Sequence, residues 1–219
     1  MSQPIAVFDF DGVLIKHDST VEFVRRRIRR SPWLVVPMLP TAICYLSARR
    51  VPTARSFFAK ALIGIVLAGR DVHSAERELR SLGRELGASS TWPLRDGVEA
   101  ARAMAAGGHR VVVVSAGLTP LVRAFLDECG LQRADVIASG VSPAWSGSRM
   151  APHNFHRRKV ESVGRAGFAA PWAVVYSDST DDLPLMMRAA RVVLVNPSTT
   201  TSAAVREQVD AEVVEVRWV

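Results

Sequence analysis

Two aspartates two residues apart, Asp9 and Asp11, follow the apolar run Ile5-Ala6-Val7-Phe8 and precede Gly12. Farther along, Ser115 ends the run Val111-Val112-Val113-Val114, and Asp178 and Asp182 follow Trp172-Ala173-Val174-Val175-Tyr176-Ser177. Lys159 lies between these two stations. Singly each residue is ordinary: a serine after a strand is commonly a helix N-cap, and a lone lysine a solvated side chain. Together they supply what phosphate chemistry needs. Neighbouring carboxylates repel when ionised and require a cation, a shared proton or both. A hard divalent ion, Mg²⁺ where phosphate is involved, meets that need with oxygen ligands. A hydroxyl and a lysine can hold phosphoryl oxygens, which leaves one aspartate free to attack phosphorus.

For these residues to meet, the apolar runs must be neighbouring strands. Residues 5–8 are short, β-branched or aromatic, and apolar on both alternating faces, which predicts a strand in the middle of a parallel sheet. Asp9 and Asp11 then stand on one side at its C-terminal end, where open α/β sheets bind ligands, and Phe10 points the other way. From Pro93 onward helix and strand alternate. The pattern predicts helices over 98–106, 120–129 and after Asn154, strands over 110–114, 136–138, 172–176, 192–195 and 213–216, and a polar loop carrying Trp145 and Gly147. Such alternation implies an α/β fold with a doubly wound parallel sheet.

Nothing in residues 18–92 reads as a strand. The stretch is expected to be a helical cap inserted after the first strand, with residues 1–17 and 93–219 forming the core. Ser19-x-x-Glu22 has the form of a capping box, and Asp18 is either part of that cap or a side chain at the edge of the active site. Residues 33–48 are strongly apolar, yet fewer than the ~20 a spanning helix needs, and Pro37 and Pro40 interrupt them. The expectation is a buried helical hairpin; the alternative is an apolar surface that meets a greasy substrate or the bilayer interface.

With 219 residues, 48% hydrophobic and 22% charged, the chain has the composition of a folded globular protein and is neither disordered nor fibrous. A net charge of +7 admits nucleic acid, an anionic membrane surface or a phosphorylated substrate. No aromatic residues interleave with the basic ones in a nucleic-acid pattern, so no nucleic-acid partner is expected. Cys44 and Cys129, both in apolar sequence, are expected to be reduced core residues. The N-terminus lacks the pattern of a signal peptide, which predicts a cytoplasmic location.

Asp9-Phe10-Asp11-Gly12-Val13, Val112-Val113-Val114-Ser115, Lys159 and Asp178-Ser179-x-x-Asp182-Leu183-Pro184 resemble, in order, the four motifs of the haloacid dehalogenase superfamily, in its phosphoserine-phosphatase-like branch. The resemblance covers nearly the whole chain and implies a Rossmann-like core and a Mg²⁺-dependent phosphatase of a small-molecule phosphomonoester. It implies that Asp9 is the nucleophile that forms an aspartyl-phosphate, and that Asp11 protonates the leaving oxygen and then activates water. Ser115 and Lys159 would bind the transferring phosphoryl, with Ala116 and Gly117 beside them. Asp9, the backbone carbonyl of Asp11 and Asp178 would hold Mg²⁺, and Asp182 would orient the metal site without touching the ion. Dehalogenases of the superfamily lack the second aspartate and its ATP-driven pumps carry threonine there, so Asp11 argues for a phosphatase.

The same resemblance bears on the substrate. Asp18 stands where phosphoserine phosphatases carry the acidic residue that grips the substrate amino group. Their carboxylate-binding cap arginine falls at Phe58, with Arg55 and Lys60 nearby, which argues against phosphoserine. Residues 33–48 are instead similar to the cap of bacterial phosphatidylglycerophosphate phosphatases. The expected substrate is a small organic phosphate with an apolar leaving group. Phosphoserine and a lipid phosphate are the alternatives, and a non-catalytic basic module on the same fold is the reading from another class.

Overall fold

The computed structural model describes residues 3–47, 52–150 and 157–219, apart from the side chains of 52–56 and 157. The expected start of a helix after Asn154 and the side chain of Arg55 therefore lie outside the described residues. In chain order, β1 (Ile5–Asp9) is followed by α1 (Ser19–Arg30), a 3₁₀ turn (Pro32–Leu34), α2 (Val35–Ser47), α3 (Pro52–Leu67) and α4 (Val72–Ala88). Then come α5 (Arg95–Ala106), β2 (Arg110–Leu118), α6 (Thr119–Glu128), β3 (Asp135–Ser139), β4 (Val141–Ala144) and β5 (Gly147–Met150). The chain finishes with α7 (Arg157–Arg165), β6 (Val174–Ser177), the short α8 (Leu183–Met186), β7 (Arg191–Val195), α9 (Thr199–Gln208) and β8 (Glu212–Val216).

Six strands pair in the order β3-β2-β1-β6-β7-β8, every pair parallel, so β1 is interior as its two-faced apolarity requires. Side chains alternate between two cores. Ala6, Phe8, Val111 and Val113 join Val98 of α5 and Phe125 of α6, whereas Val7, Val112 and Val114 join Val163 of α7 and Val205 of α9. Phe8 stacks on Tyr176 across the β1–β6 pair, and Phe10 meets Phe125 edge-on. The fold class is the expected α/β Rossmann-like sheet.

Several local expectations are revised. Strand β2 runs on through Leu118, and its register with β3 slips: Val114 faces Ile137, but Leu118 faces Ser139. Ser115, Ala116 and Gly117 lie in that irregularity, a device that re-aims side chains at strand ends. The polar loop around Trp145 is a two-stranded antiparallel hairpin, β4–β5, seated on α3 and α4; Gly69 N–H donates to Ser146 O at 2.7 Å. Helix α1 is capped by Asp18, whose carboxylate accepts from Val21 N–H at 2.9 Å, and not by Ser19. Ser19 is already helical, and its own N–H is given to Asp11. Cys129 is buried as expected; Cys44 is exposed, because α2 turns Leu34, Met38 and Tyr45 inward and position 44 falls on the other side. Burial of residues 33–48 is also overturned: Trp33, Val36, Leu39, Ile43 and Leu46 are exposed. Among the described residues no helix is long and apolar enough to cross a membrane.

Helix α4 takes α6 as its most extensive partner. The approach is close because Gly83 and Gly87 face it: a Cβ at Gly83 would run into the Leu121 carbonyl, and one at Gly87 would lie 2.8 Å from the Phe125 carbonyl. Gly83→Val is expected to cost about 1–3 kcal/mol through overpacking against main chain that cannot rotate away. At roughly 2–4 °C per kcal/mol for a chain this long, calorimetry should show a clearly lower melting temperature. An unchanged melting temperature would mean that the two helices separate at no cost.

Candidate active site

The C-terminal ends of β1, β2 and β6 open into one cavity of about 530 Å³. Its floor is formed by Asp9, Asp11, Gly12, Ala116, Lys159, Asp178 and Asp182. At the centre, Lys159 Nζ reaches from α7 and donates to Asp9 Oδ1 at 2.8 Å and to Asp182 Oδ1 at 2.7 Å. Ser177 Oγ donates to the second Asp182 oxygen at 2.8 Å. Asp182 is thus a fully buried clamp that fixes the lysine beside Asp9. The position of Lys159 follows from the alternation of β1, which turns odd-numbered residues toward α7.

Asp11 accepts the Ser19 N–H at 2.8 Å, the first amide of α1, so the helix start and the carboxylate hold each other. Gly12 has φ +79°, and a side chain there would run into the Asp178 carboxylate; the loops after β1 and β6 meet at this glycine. Ser115 is fully buried with its Oγ accepting the Gly117 N–H at 2.8 Å, and Ala116 forms the cavity surface at this point. The Ser115, Ser19 and Thr20 hydroxyls lie within 3.7 Å of where a Gly117 side chain would stand. Any side chain at 117 would enter that hydroxyl cluster.

The electrostatics follow from burial and an excess of acid. Burial, and then the charge of Asp182, push the Asp9 carboxyl well above the usual carboxylate range, and Lys159 opposes this only in part because one cation serves two carboxylates. Burial and the neighbouring Asp18 raise Asp11 to about 7, against the donation from Ser19. Burial and Asp182 raise Asp178 to about 6. Burial alone would discharge Lys159, but Asp182 and Asp9 reverse that and hold it above its ordinary value. Asp9, Asp11 and Asp178 thus share a buried deficit of positive charge, which fits a hard divalent cation. Among the described residues no three His, Cys, Asp or Glu side chains are grouped to hold a metal by themselves. A cation here would need a main-chain oxygen or other oxygens beside the carboxylates of Asp9 and Asp178.

The roof is apolar. Val24 of α1, Met38 and Tyr45 of α2, and Ala59, Leu62 and Ile63 of α3 line it. Asp18 lines the rim of the cavity while its carboxylate caps α1. Phe58 does not line the cavity: it is half-buried and packs edge-on against Phe57, and the wall of α3 begins one position later. Sequence reasoning also passed over Thr20, Ser179, Asp181, Met150 and Lys16, all in the lining. For Thr20 a signal existed, since a helix starting straight after a catalytic strand aims its first turn at the strand end.

The family model of the haloacid dehalogenase-like hydrolases matches residues 6–187. Several solved structures share the fold. A protein of unknown function from Bordetella pertussis Tohama I is 20% identical, with 98% of this chain and 99% of that one covered at a TM-score of 0.71. A phosphoserine phosphohydrolase-like protein from Francisella tularensis subsp. tularensis SCHU S4 is 16% identical over 88% and 87% of the two chains, at 0.63. A substrate-bound phosphoserine phosphatase is 14% identical over 99% and 95%, at 0.58. No curated protein matches the chain. Identities this low establish a common fold and nothing finer, but the family model spans most of the chain and takes in the β1, β2 and β6 strand ends with Lys159 between them; the chain belongs to the haloacid dehalogenase-like hydrolases, with the fold of their phosphoserine-phosphatase-like branch.

Proposed function

We propose that the chain is a Mg²⁺-dependent phosphomonoester hydrolase that works through an aspartyl-phosphate on Asp9. The observation that carries the reading is the pairing of a buried carboxylate, fixed by Lys159 at 2.8 Å, with a second carboxyl whose pKa of about 7 suits proton transfer in both directions. Asp9 attacks phosphorus, the ester P–O bond breaks, and the leaving oxygen takes the proton of Asp11. Asp11, now a carboxylate, takes a proton from a water whose oxygen attacks the same phosphorus, which releases inorganic phosphate and restores Asp9. Lys159 and the Ser115 region hold phosphoryl oxygens and lessen the repulsion between two anions. Mg²⁺, held by Asp9, Asp178 and the Asp11 carbonyl, would neutralise charge on the transferring group; Asp182 acts by fixing Lys159.

Residues 18–92 serve as the lid on a core of residues 1–17 and 93–219. Asp18 at the rim and the apolar roof favour a leaving group with apolar surface. Under the apolar roof of Met38, Leu62 and Ile63 the carboxylate of phosphoserine, unless it reached Lys16 in the lining, would lose on the order of 1–3 kcal/mol by going unpaired. A panel of phosphomonoesters with Mg²⁺ tests this, with phosphoserine, sugar phosphates, nucleotides and lipid phosphates compared by kcat/KM. Phosphoserine should fall well below the best apolar ester; if it ranks first, the plain phosphoserine phosphatase is restored, and if nothing turns over, the non-catalytic module is.

The raised carboxyls also predict how metal and pH act on stability. Asp11 and Asp178 titrate near 7 and 6 in the folded chain, against 3.8 for a free aspartate. Between those values the folded state holds protons that the unfolded state has released, so the metal-free protein loses stability as pH rises from about 4 to about 7. Mg²⁺ would be held by the deprotonated forms of Asp9 and Asp178 and so would relieve part of that penalty. The melting temperature should rise with Mg²⁺ by several degrees at about pH 8 and by little at about pH 5. An equal rise at both pH values would contradict the assignment of the Asp178 carboxylate to the ion.

A further inference from the structure

Helix α2 is apolar on both of its faces. Its inner stripe, Met38, Ala42 and Tyr45, continues from the buried Leu34 of the preceding turn, α2 packs on α3, and Met38 and Tyr45 line the cavity. Its outer side carries Val35, Val36, Leu39, Ile43 and Leu46, and Trp33 of the preceding 3₁₀ turn adjoins them in sequence, each between 44% and 76% exposed. A helix that is hydrophobic all round belongs in a core or a membrane phase, and a contiguous exposed apolar surface marks an interaction site. Apolarity alone would admit a second copy of the chain as readily as a bilayer.

Charge separates the two. Residues 23–70 contain nine arginines and one lysine and no aspartate or glutamate, so this segment carries +10, whereas the rest of the chain, with 18 basic and 21 acidic residues, sums to −3. Part of the excess is neutralised from outside the segment: Glu22 takes Arg25 and, with Glu85, Arg26, and Glu78 takes Arg30 and Arg70. Arg29 remains exposed near the end of α1, a few residues before Trp33 in the sequence, and Arg49-Arg50 follow α2 closely in the sequence. Two copies meeting through α2 would bring two such segments together against their mutual repulsion. An anionic bilayer offers the complement instead: acyl chains for the outer face, and phosphate headgroups at the level of its basic flanks.

We infer that α2 lies in the interface of an anionic bilayer, with Val36, Leu39 and Ile43 toward the acyl boundary. The inner face of the same helix forms the cavity roof, so the docked protein sets its apolar wall against the lipid. No catalytic residue enters the argument, which therefore stands apart from the phosphatase reading.

Vesicle co-sedimentation of the whole chain tests it. The protein should partition onto phosphatidylcholine vesicles containing about one third phosphatidylglycerol, and far less onto pure phosphatidylcholine. Binding should weaken as salt is raised from about 0.1 to about 0.5 M. Leu39→Glu with Ile43→Glu, outside the cavity wall, should lower the partition at least ~tenfold while the circular dichroism and the hydrolysis of soluble p-nitrophenyl phosphate stay as in the parent. Arg29→Glu gives a second reading: it should reduce only the salt-sensitive part. The inference is overturned if the parent ignores anionic vesicles, if the double variant binds as the parent does, or if sedimentation shows a dimer that the double substitution dissolves. Vesicle binding without hydrolysis of any phosphomonoester would sink the phosphatase reading and leave this one standing.

Discussion

Asp9→Asn is expected to abolish turnover on every phosphomonoester, by more than about 10⁴-fold in kcat, and to leave the fold intact. The amide has the size of the carboxylate and keeps an oxygen for Lys159, which donates to Asp9 at 2.8 Å. It is a poor nucleophile, and nothing else on the cavity floor is so placed: Asp182 is consumed by Lys159 and Ser177, and Asp178 stands against Gly12. The carboxyl of Asp9 is held above its usual range by burial and by Asp182, so the substitution also removes a costly buried charge, and the metal-free melting temperature should hold or rise. Single-turnover assays with calorimetry on the same sample check both halves. Activity within tenfold of the parent would remove Asp9 from the chemistry.

Lys159→Met is expected to damage stability and activity together. The ammonium is buried and is the cation between Asp9 and Asp182; without it two buried carboxylates face each other with no counter-charge. Removing one partner of a buried ion pair costs about 3–5 kcal/mol, and a methionine restores none of it. Asp182→Asn placed on top of Lys159→Met should recover much of the stability by discharging the second carboxylate, yet recover no turnover, because the group that meets the phosphoryl oxygens is still missing. If the double variant is no more stable than the single one, the clamp is not what holds α7 against the strand ends.

The floor of the site was legible in the sequence because each of its residues ends a run whose pattern admits one reading. Valine-rich runs buried on both faces can only be interior parallel strands, so the residues at their ends converge whatever lies between. Lys159 was placed by resemblance, and β1 alternation supplies the physical reason that it meets Asp9. The roof was not legible. Residues 33–48 carry no polar side to say which face turns inward, and apolarity alone suggested burial; the structure turns one narrow stripe in and leaves the rest outside. Phe58 stands outside the cavity lining for a smaller reason: the wall of α3 begins at Ala59, and a shift of one position on a helix rotates a side chain by ~100°. The β4–β5 hairpin hid because Val141-Ser142-Pro143-Ala144 and Gly147-Ser148-Arg149-Met150 are short and weakly alternating, and they take their place from α3 and α4.

Residues 18–92, which we propose as the lid, are fastened at their two ends in different ways. Helix α1 begins on Asp11 through the Ser19 amide, and α4 returns along α6 in a glycine-lined seam at main-chain contact. Between these moorings, residues 31–70 carry five of the six apolar roof positions, whereas Asp9, Asp11, Lys159 and Asp178 all lie outside them. Such a segment is an exchangeable cassette: insertions, deletions and wholesale replacement within it would rewrite what the cavity accepts while the geometry of Asp9, Asp11, Lys159 and Asp178 stayed in place. Specificity in this chain can drift at a rate that the chemistry beneath it does not share.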